Sequence, residues 1–302
     1  MCSLVIGPSL AIGQDNEPRS CTKTAKVAFA ACQHEADDDF LIAKGNCKNL
    51  SDADGRAECK KEAKAARKER KKECKEQREA RLEICEVLGE EAYDPQIAPA
   101  MFVDPAEIGK TVAPNPYFPL LRGRAWIYKG GTETVTVTVT DDIKVILGVT
   151  CAVIRDVVED NGEVIEDTKD WFAQDINGNV WYFGEVVQDF EDGELVSIEG
   201  SWMAGVDGAK PGIIMKAAPA VGDLYRQEFY LGDAEDLAEV LNLNGSEVVP
   251  AAACDGDCLI TKDFTPLEPD AVEHKYYARG MGKILEVNPE TGERMELVEV
   301  RN

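Results

Sequence analysis

The sequence predicts an α+β protein, in which an antiparallel helical hairpin stapled by nested disulfides is followed by a mainly antiparallel β-sheet domain with one short helix. Two observations support this prediction. Six cysteines near the start of the chain follow a palindromic spacing, and the chain beyond position 116 alternates between β-branched and polar residues, with repeated turn signals. We expect the sheet to be curved or to form an open barrel.

The cysteine spacing describes two helices that run in opposite directions. The six cysteines are 11, 15, 12, 15 and 11 positions apart. Folding the segment about its midpoint therefore brings together three pairs, Cys21 with Cys85, Cys32 with Cys74, and Cys47 with Cys59. A metal or iron–sulfur site is the alternative, but such sites need short ligand spacings or converging histidines. The chain has only two histidines, so we expect disulfides.

The seam of this hairpin, residues 18–90, is poor in large apolar side chains. The inner stripe of the first helix carries Ala25, Ala28 and Ala36 between its cysteines, and the pairing rule places long arginine side chains opposite them. Such a seam is marginally stable by itself. Three bridges, each contributing about 2–4 kcal/mol, would stabilise it.

The disulfide framework predicts an oxidising compartment, and we expect a secreted protein, either periplasmic or extracellular. Residues 1–13 are apolar and resemble the later part of a secretory signal, although they lack a basic start. They are either the remainder of a leader or a retained apolar arm. A retained arm could add as a strand to the sheet edge of a neighbouring subunit and so build a polymer.

The net charge of −24 is unevenly distributed along the chain. Residues 21–90 contain sixteen Lys and Arg against fifteen Asp and Glu, so the rest of the chain carries the whole negative excess. That field repels phosphate, and we expect no nucleic-acid partner. An acidic surface that keeps an exported protein in solution is the simplest explanation; a cationic partner is the alternative. No apolar run of roughly 18 residues occurs, so we expect no transmembrane helix.

A proline-rich linker, residues 91–115, precedes an acidic antiparallel β-domain, residues 116–302. Asn-Gly, Asp-Gly and Thr-Gly pairs between strand-like runs predict hairpin turns. The short helix is predicted at residues 234–243, with Asp233 as its cap. The predicted strands are 124–129, 133–140, 143–158, 163–173, 179–189, 195–203, 223–230, 258–264, 271–278, 282–287 and 294–300.

The remaining cysteines suggest little reactive chemistry. Cys254 and Cys258 are expected to form a local disulfide that holds a turn. The carboxylates between them, Asp255 and Asp257, are candidate Ca²⁺ ligands under the alternative hypothesis. Cys151 lies in a valine-rich run, so we expect a buried small hydrophobe rather than a nucleophile.

No catalytic constellation stands out in the sequence. His274 alternates within a strand, and no nucleophile motif accompanies it. Asp170 and Glu185 could meet across a hairpin and perform acid–base chemistry, but chance pairs are common in a chain with 57 acidic residues. We therefore expect no cofactor and a protein that is not an enzyme.

Aromatic residues concentrate in the β-domain. They are expected to form the core of the sheet, and the alternative is an aromatic-lined pocket or groove for an apolar ligand or a glycan. The glycine-rich connection 204–212 is the expected mouth of such a pocket. The candidate ligand-binding residues are Trp171, Trp181, Trp202, Tyr182 and Tyr225.

Three stretches carry a resemblance to known sequences: NPYFPL at 115–120, DWFAQD at 170–175 and GNVWYFGE at 178–185. Together they resemble a family of exported bacterial proteins that has no established activity. The resemblance covers roughly residues 115–287 and excludes the cysteine hairpin. It implies a bacterial cell-envelope or extracellular setting and no particular reaction.

These observations lead to three hypotheses about function. The first is an exported, non-enzymatic binding or extracellular assembly protein that associates with itself or with an envelope partner. The second is a carrier that holds an apolar ligand between a half-open sheet and the helix at 234–243. The third is a hydrolase of an envelope polymer, which requires Asp, Glu or His groups that converge in a cleft.

Overall fold

The computed structural model describes residues 19–302. Two long helices, α1 (Ser20–Lys48) and α2 (Ala53–Leu88), form an antiparallel pair. Two 3-10 helices, Pro99–Met101 and Pro105–Glu107, lie in the segment that follows. The predicted leader or arm at residues 1–13 lies outside the described residues.

Sixteen strands form one antiparallel sheet, as the fold-class prediction requires. Its main path runs β10-β12-β13-β14-β15-β16-β1-β2-β3-β4-β5-β9-β11, with β6, β7 and β8 attached beside it. The strands are β1 (Ala125–Gly130), β2 (Glu133–Ile146), β3 (Val149–Asp160), β4 (Glu163–Gln174), β5 (Val180–Val186), β6 (Asp189–Glu191), β7 (Glu194–Ser197), β8 (Trp202–Met203), β9 (Lys210–Met215), β10 (Leu224–Arg226), β11 (Glu228–Phe229), β12 (Leu237–Val249), β13 (Ala252–Phe264), β14 (Val272–Ala278), β15 (Gly282–Val287) and β16 (Arg294–Arg301).

The sheet curves until its two ends nearly meet. Strands β10 and β11 lie at opposite ends of the main path, yet only Gln227 separates them in the chain. Gly212 of β9 makes the close approach possible, because a Cβ there would lie 2.5 Å from the carbonyl oxygens of Arg226 and Gln227. The sheet is therefore barrel-like, with an interior enclosed by its concave face.

Three disulfides join α1 to α2 in nested order. They link Cys21 to Cys85, Cys32 to Cys74 and Cys47 to Cys59, with Cα atoms 5.6, 5.8 and 5.5 Å apart. These are the pairs that the palindromic spacing predicts. Between the bridges the seam is lined by small buried residues, Ala25, Ala28, Ala36 and Ala63, which let the helices approach closely.

The hairpin docks on the sheet through the second half of α2. The Arg81 guanidinium donates three hydrogen bonds of 2.7–3.1 Å to the Glu235 carboxylate, and both side chains are buried. Nearby, Nε2 of Gln77 donates to the carbonyl oxygen of Leu267 at 2.9 Å. A buried charge pair of this kind requires both partners, because either one alone would be an uncompensated ion.

The proline-rich segment packs on the outer face of the sheet. Phe102 makes edge-to-face contacts with Trp181 and Phe183, at centroid distances of 6.2 and 5.5 Å. The backbone N of Val103 donates to the carbonyl oxygen of Gln174 at 3.0 Å. The segment thus covers strands β4 and β5.

The helix predicted at residues 234–243 is wrong. Most of this segment belongs to β12, which begins at Leu237 and pairs with β10 on one side and β13 on the other. Leu237, Val240 and Leu241 have helical spacing, but pairing with two distant strands overrides that local pattern. The supposed cap, Asp233, lies in a turn, and Glu235 bonds to Arg81 instead.

Other strand predictions also need correction: those at 195–203 and 223–230 are each two short strands, β7 with β8 and β10 with β11. The single strand predicted at 143–158 is the end of β2 and most of β3, joined by a tight turn at Leu147 and Gly148, whose φ angles are 50° and 79°. Because leucine rarely adopts a positive φ, the turn has a weak sequence signal. The structure also places β9 at Lys210–Met215, partly within the predicted glycine-rich connection.

We predict that Arg81→Met strongly destabilises the protein, by about 3–5 kcal/mol, because Glu235 would be left buried without its cation. Removing both charges in Arg81→Met/Glu235→Gln should restore part of the loss. Urea unfolding followed by circular dichroism measures both effects.

The control is Lys61→Met, which removes a cation from the exposed pair with Glu58. Exposed pairs contribute little to stability, so the urea midpoint should not move. Equal midpoints for Lys61→Met and Arg81→Met would show that the buried pair does not anchor the hairpin.

Candidate functional site

A cavity of about 280 Å³ lies inside the curved sheet. Its walls come from strands on both halves of the sheet path and from the chain around Phe118 and Pro119. A set of charged side chains reaches the cavity, two of them on β3 and β4 and three on β13, β14 and β15. These charged residues are Asp156, Asp170, Asp263, Lys275 and Lys283.

Aromatic rings form much of the remaining wall. Phe172 and Tyr182 stack with centroids 4.6 Å apart, and Phe118 contacts Phe172 at 5.1 Å. Trp126 and Tyr128 of β1 line the cavity beside them, and their polar atoms donate to carbonyl oxygens of the chain at Met281 and Lys283. The rings are thereby held in fixed positions around the cavity.

A β-bulge on β5 turns Glu185 to the same side as Tyr182. In the register between β4 and β5, Phe172 is opposite Tyr182 and Asp170 is opposite Glu185, so two β5 residues oppose one β4 residue between these pairs. Regular alternation would have sent Glu185 to the other face. The bulge includes Gly184, whose φ is 127°. The Asp170–Glu185 pairing considered from sequence is therefore present.

Burial perturbs the carboxyl groups on this wall. It raises the pKa of Asp156 to about 7 and that of Glu185 to about 7. It also raises the pKa of Asp170 well above its ordinary value, reinforced by the nearby Glu185, while a hydrogen bond of 2.7 Å from the Tyr182 hydroxyl opposes the increase. Oδ1 of Asp156 is buried and has no hydrogen-bond partner among residues 19–302. This wall is short of positive charge.

The opposite wall is paired internally. Nζ of Lys275 lies 3.3 Å from Asp263 and 3.2 Å from Glu273, and Nζ of Lys283 lies 2.8 Å from Glu286. Burial alone would lower the pKa of Lys275, but these carboxylates raise it well above its ordinary value. Both lysines thus form their ion pairs with carboxylates of their own wall, and Lys283 also lowers the pKa of Asp156.

The five candidate aromatics predicted from sequence lie in different places. Tyr182 lines the cavity, and Trp202 packs edge-on against it at 5.3 Å. Trp171 is not in the cavity lining, and Lys144 lies 5.2 Å over its ring. The other two are also outside the lining: Trp181 bonds to Asp175 through its indole N–H, and Tyr225 contacts Lys216.

The other candidate residues lie away from the cavity. Cys254 and Cys258 form a disulfide, and Oδ1 of Asp257 accepts a hydrogen bond of 3.1 Å from the backbone N of Asp255. Within residues 19–302, no group of three or more His, Cys, Asp and Glu is arranged to hold a metal ion. Cys151 is a buried free thiol, and burial raises its pKa to about 12.

His274 is not part of the cavity lining, whereas its strand neighbour Lys275 is. The cavity residues that sequence reasoning missed are chiefly Asp156, Asp263 and Lys283. One weak signal was available: Asp156 interrupts a valine-rich run, and a charge within such a run suggests a partly polar interior. Their meeting at the cavity depends on strand register, which the sequence does not give.

Comparison of the chain with protein-family models, with curated proteins and with solved structures finds no match. Neither α1 nor α2 has a stretch apolar enough to cross a membrane, and residues 19–302 contain no other long helix.

We predict that Gly184→Ala destabilises the protein by about 2–4 kcal/mol and disrupts the cavity wall. Gly184 has a positive φ, and the added methyl group would collide with neighbouring backbone. An alanine Cβ would overlap the carbonyl oxygen of Trp202 and lie 2.9 Å from Cα of Met203. Urea unfolding measures the loss.

The matched control is Gly193→Ala. Gly193 also has a positive φ, 78°, but a Cβ there meets no atom within 4 Å. Only the backbone strain remains, so the expected cost is roughly 1 kcal/mol. If both variants lose the same stability, crowding at the bulge has no special importance.

The raised pKa of Asp156 predicts a pH-dependent stability. In the folded state the Asp156 carboxyl group keeps its proton up to about pH 7. In the unfolded state it releases that proton at about pH 4. Folded protein therefore binds more protons in this window, and stability falls as pH rises through it. The groups that act on Asp156 are Lys283, which lowers its pKa, and Glu166, Glu286 and Asp167, which raise it.

Asp156→Asn should therefore stabilise the protein at pH 8 by about 1–3 kcal/mol and have little effect at pH 4.5. Urea unfolding at the two pH values measures the difference. Asp142→Asn, an exposed position on β2, is the control and should show no such dependence. An Asp156→Asn effect of equal size at both pH values would contradict this explanation.

Proposed function

We propose that this chain is an exported binding protein that takes a small polar ligand into the cavity of its sheet. The observation that supports the proposal is the cavity of about 280 Å³, which combines aromatic rings with charged groups that converge from separate strands. Small-molecule sites are typically concave, mostly apolar and furnished with a few fixed polar groups. The cavity volume is near the lower end of the range for such sites, which suits a small metabolite.

The polarity of the lining argues against an apolar ligand. Five charged side chains reach the cavity, and burying an apolar molecule against them would remove their remaining solvation without replacing it. The helix that was expected to hold such a ligand is a strand. A polar ligand can instead supply the missing hydrogen bonds or charge.

The small volume of the cavity also favours binding over polymer hydrolysis. Asp170 and Glu185 do converge, which is the arrangement that a hydrolase hypothesis requires. A cavity of about 280 Å³ holds a compact molecule, whereas a polymer substrate requires an open cleft along which the chain can lie. The carboxyl pair is therefore better explained as part of a binding site.

Export and a bacterial envelope setting belong to the same proposal. Four disulfides suit an oxidising compartment. The resemblance of the stretches at 115–120, 170–175 and 178–185 to exported bacterial proteins agrees with that setting. Together they favour a ligand taken up outside the cytoplasm.

Self-association by strand addition is a second candidate function, and one edge of the sheet favours it. Among the strands of residues 19–302, β7 pairs only with β6, and its residues Leu195 and Val196 are 51% and 52% exposed. An unpaired edge with apolar side chains is a template for an added strand. The donor in this hypothesis is the apolar segment 1–13. Amino-terminal sequencing of native material tests it: a chain that starts at Gln14 or later would lack the donor.

We expect protein purified from its own host to carry a small molecule, visible as a mass difference between native and denaturing mass spectrometry. Val137→Trp places a large ring where Val137 lines the cavity and should reduce occupancy at least tenfold. Val145→Trp, on the same strand but 61% exposed, is the control and should keep the ligand.

Thermal melts of both variants would establish that they fold, since an added ring in a packed interior costs about 1–3 kcal/mol. Wild-type protein without any bound molecule would contradict the proposal. So would a folded Val137→Trp variant that keeps its full occupancy.

A further inference from the structure

We infer that the ligand of this cavity is a small organic cation, whose ammonium group lies between the carboxyl groups of Asp156 and Asp170 and the neighbouring aromatic rings. The inference rests on the proposed function, because it names the chemical class of ligand for the same cavity. It follows from the unequal distribution of charge between the two walls, the unpartnered oxygen on one of them, and the rings beside it.

The wall formed by β3 and β4 carries two carboxyl groups, those of Asp156 and Asp170, that form no ion pair with a cation of the described residues. Within residues 19–302, no Lys, Arg or His forms an ion pair with Asp156 or Asp170. Asp170 accepts one hydrogen bond, from the Tyr182 hydroxyl, and Oδ1 of Asp156 is buried and accepts none. Buried polar atoms are nearly always hydrogen-bonded, so an unpartnered oxygen on a cavity wall points to a missing donor.

The lysines on the facing wall do not fill this role. Each is held at 2.8–3.3 Å by carboxylates on β13, β14 and β15, and these carboxylates outnumber the two ammonium groups. The interior therefore has an excess of acid. A bound anion would add to that excess and would have to compete with Asp263 or Glu286 for the lysines.

The effect of burial on the carboxyl groups agrees with this inference. Burial raises their pKa values because it disfavours the charged form, and Glu185 raises that of Asp170 further, while Lys283 lowers that of Asp156 and so compensates its charge only in part. A bound cation would supply that compensation and favour the ionised form. A neutral polyol could accept or donate hydrogen bonds here, but it would leave the ionised carboxylate uncompensated.

The aromatic rings complete a site suited to an ammonium group. Phe172 and Tyr182 stack beside Asp170, and Trp126 and Tyr128 line the cavity on the neighbouring strands. The face of an aromatic ring attracts a cation, and this attraction is strongest where water is excluded. Carboxylates and rings around one cavity together favour a cation over a neutral molecule of the same shape.

The test compares four probes with the full 302-residue chain. Choline and putrescine are cations, 3,3-dimethyl-1-butanol is the neutral isostere of choline, and 3,3-dimethylbutanoate is a related anion. In isothermal titration calorimetry at pH 8, at least one of the two cations should bind at least tenfold more tightly than the neutral isostere and the anion. The double variant Asp156→Asn/Asp170→Asn should lose that preference.

Asn has nearly the shape of Asp and removes a buried charge, so the double variant is expected to fold, and circular dichroism checks it. Asp142→Asn is the control for charge removal at an exposed position. It should keep the wild-type affinities. A further readout is competition: the preferred cation should displace the molecule that co-purifies from the host.

The results distinguish this inference from the proposed function. If the neutral or anionic probe binds as tightly as either cation, or if the double variant keeps the preference, the cation is the wrong class but the cavity still binds. If none of the four probes binds at millimolar concentration, the cation inference is also overturned. The proposed function fails only if the host protein is empty as well.

Discussion

The near-closure of the sheet is the constraint on which the rest of the structure depends. Strands β10 and β11 lie at the two ends of the sheet path, and the chain passes from one to the other through Gln227. The concave face thereby lines a cavity. Ordinary acidic side chains such as Asp156 and Asp170 acquire raised pKa values because they lie there. An open, flat sheet would leave the same residues as solvated surface.

The two walls of this interior handle buried charge in different ways. On one wall Lys275 and Lys283 are matched by carboxylates at hydrogen-bond distance. On the other wall Asp156 has no such partner in the described part of the chain, and one of its carboxyl oxygens accepts no hydrogen bond from it. A protein selected for stability alone would replace such a group with an apolar residue. An unmatched polar group beside a cavity therefore favours a functional explanation over a structural one.

Sequence reasoning succeeded where the deciding interactions are local or regular. The cysteine palindrome predicts the three disulfide pairs because helical rise is constant, so equal spacings on two antiparallel helices keep the partners level. Most strands were found because alternation is a local pattern. The helix at 234–243 was wrong because the pairing of β12 with β10 and β13 involves distant segments.

The cavity could not be found in this way. Asp156 and Lys275 are far apart in the chain, and whether each side chain points inward depends on strand register. A single bulge at Gly184 moves Glu185 from one face to the other. A glycine after an aromatic strand run marks a candidate bulge. The residue types at 184 and 185 alone do not predict which face of the sheet Glu185 takes.

The disulfide hairpin has a physical connection to this interior, which explains why a stapled rod accompanies a sheet. Arg81 of α2 bonds to Glu235, which lies between β11 and β12, close to where the ends of the sheet meet. Tyr93, just beyond α2, donates to the carbonyl oxygen of Pro211 on β9, and Arg226 of β10 lies 5.6 Å from the Tyr93 ring. These contacts link both ends of the sheet to one short stretch of chain, from the end of α2 to Tyr93.

The disulfides restrict the unfolded state of the hairpin and so favour the paired arrangement of α1 and α2. An ordered α2 presents Arg81 without the entropy cost of fixing a flexible segment. The buried Arg81–Glu235 pair must overcome a large desolvation cost, and preorganisation reduces what else it must overcome. The disulfide-linked hairpin is thus joined, through one buried charge pair, to the chain that leads into β12 near the closure of the sheet.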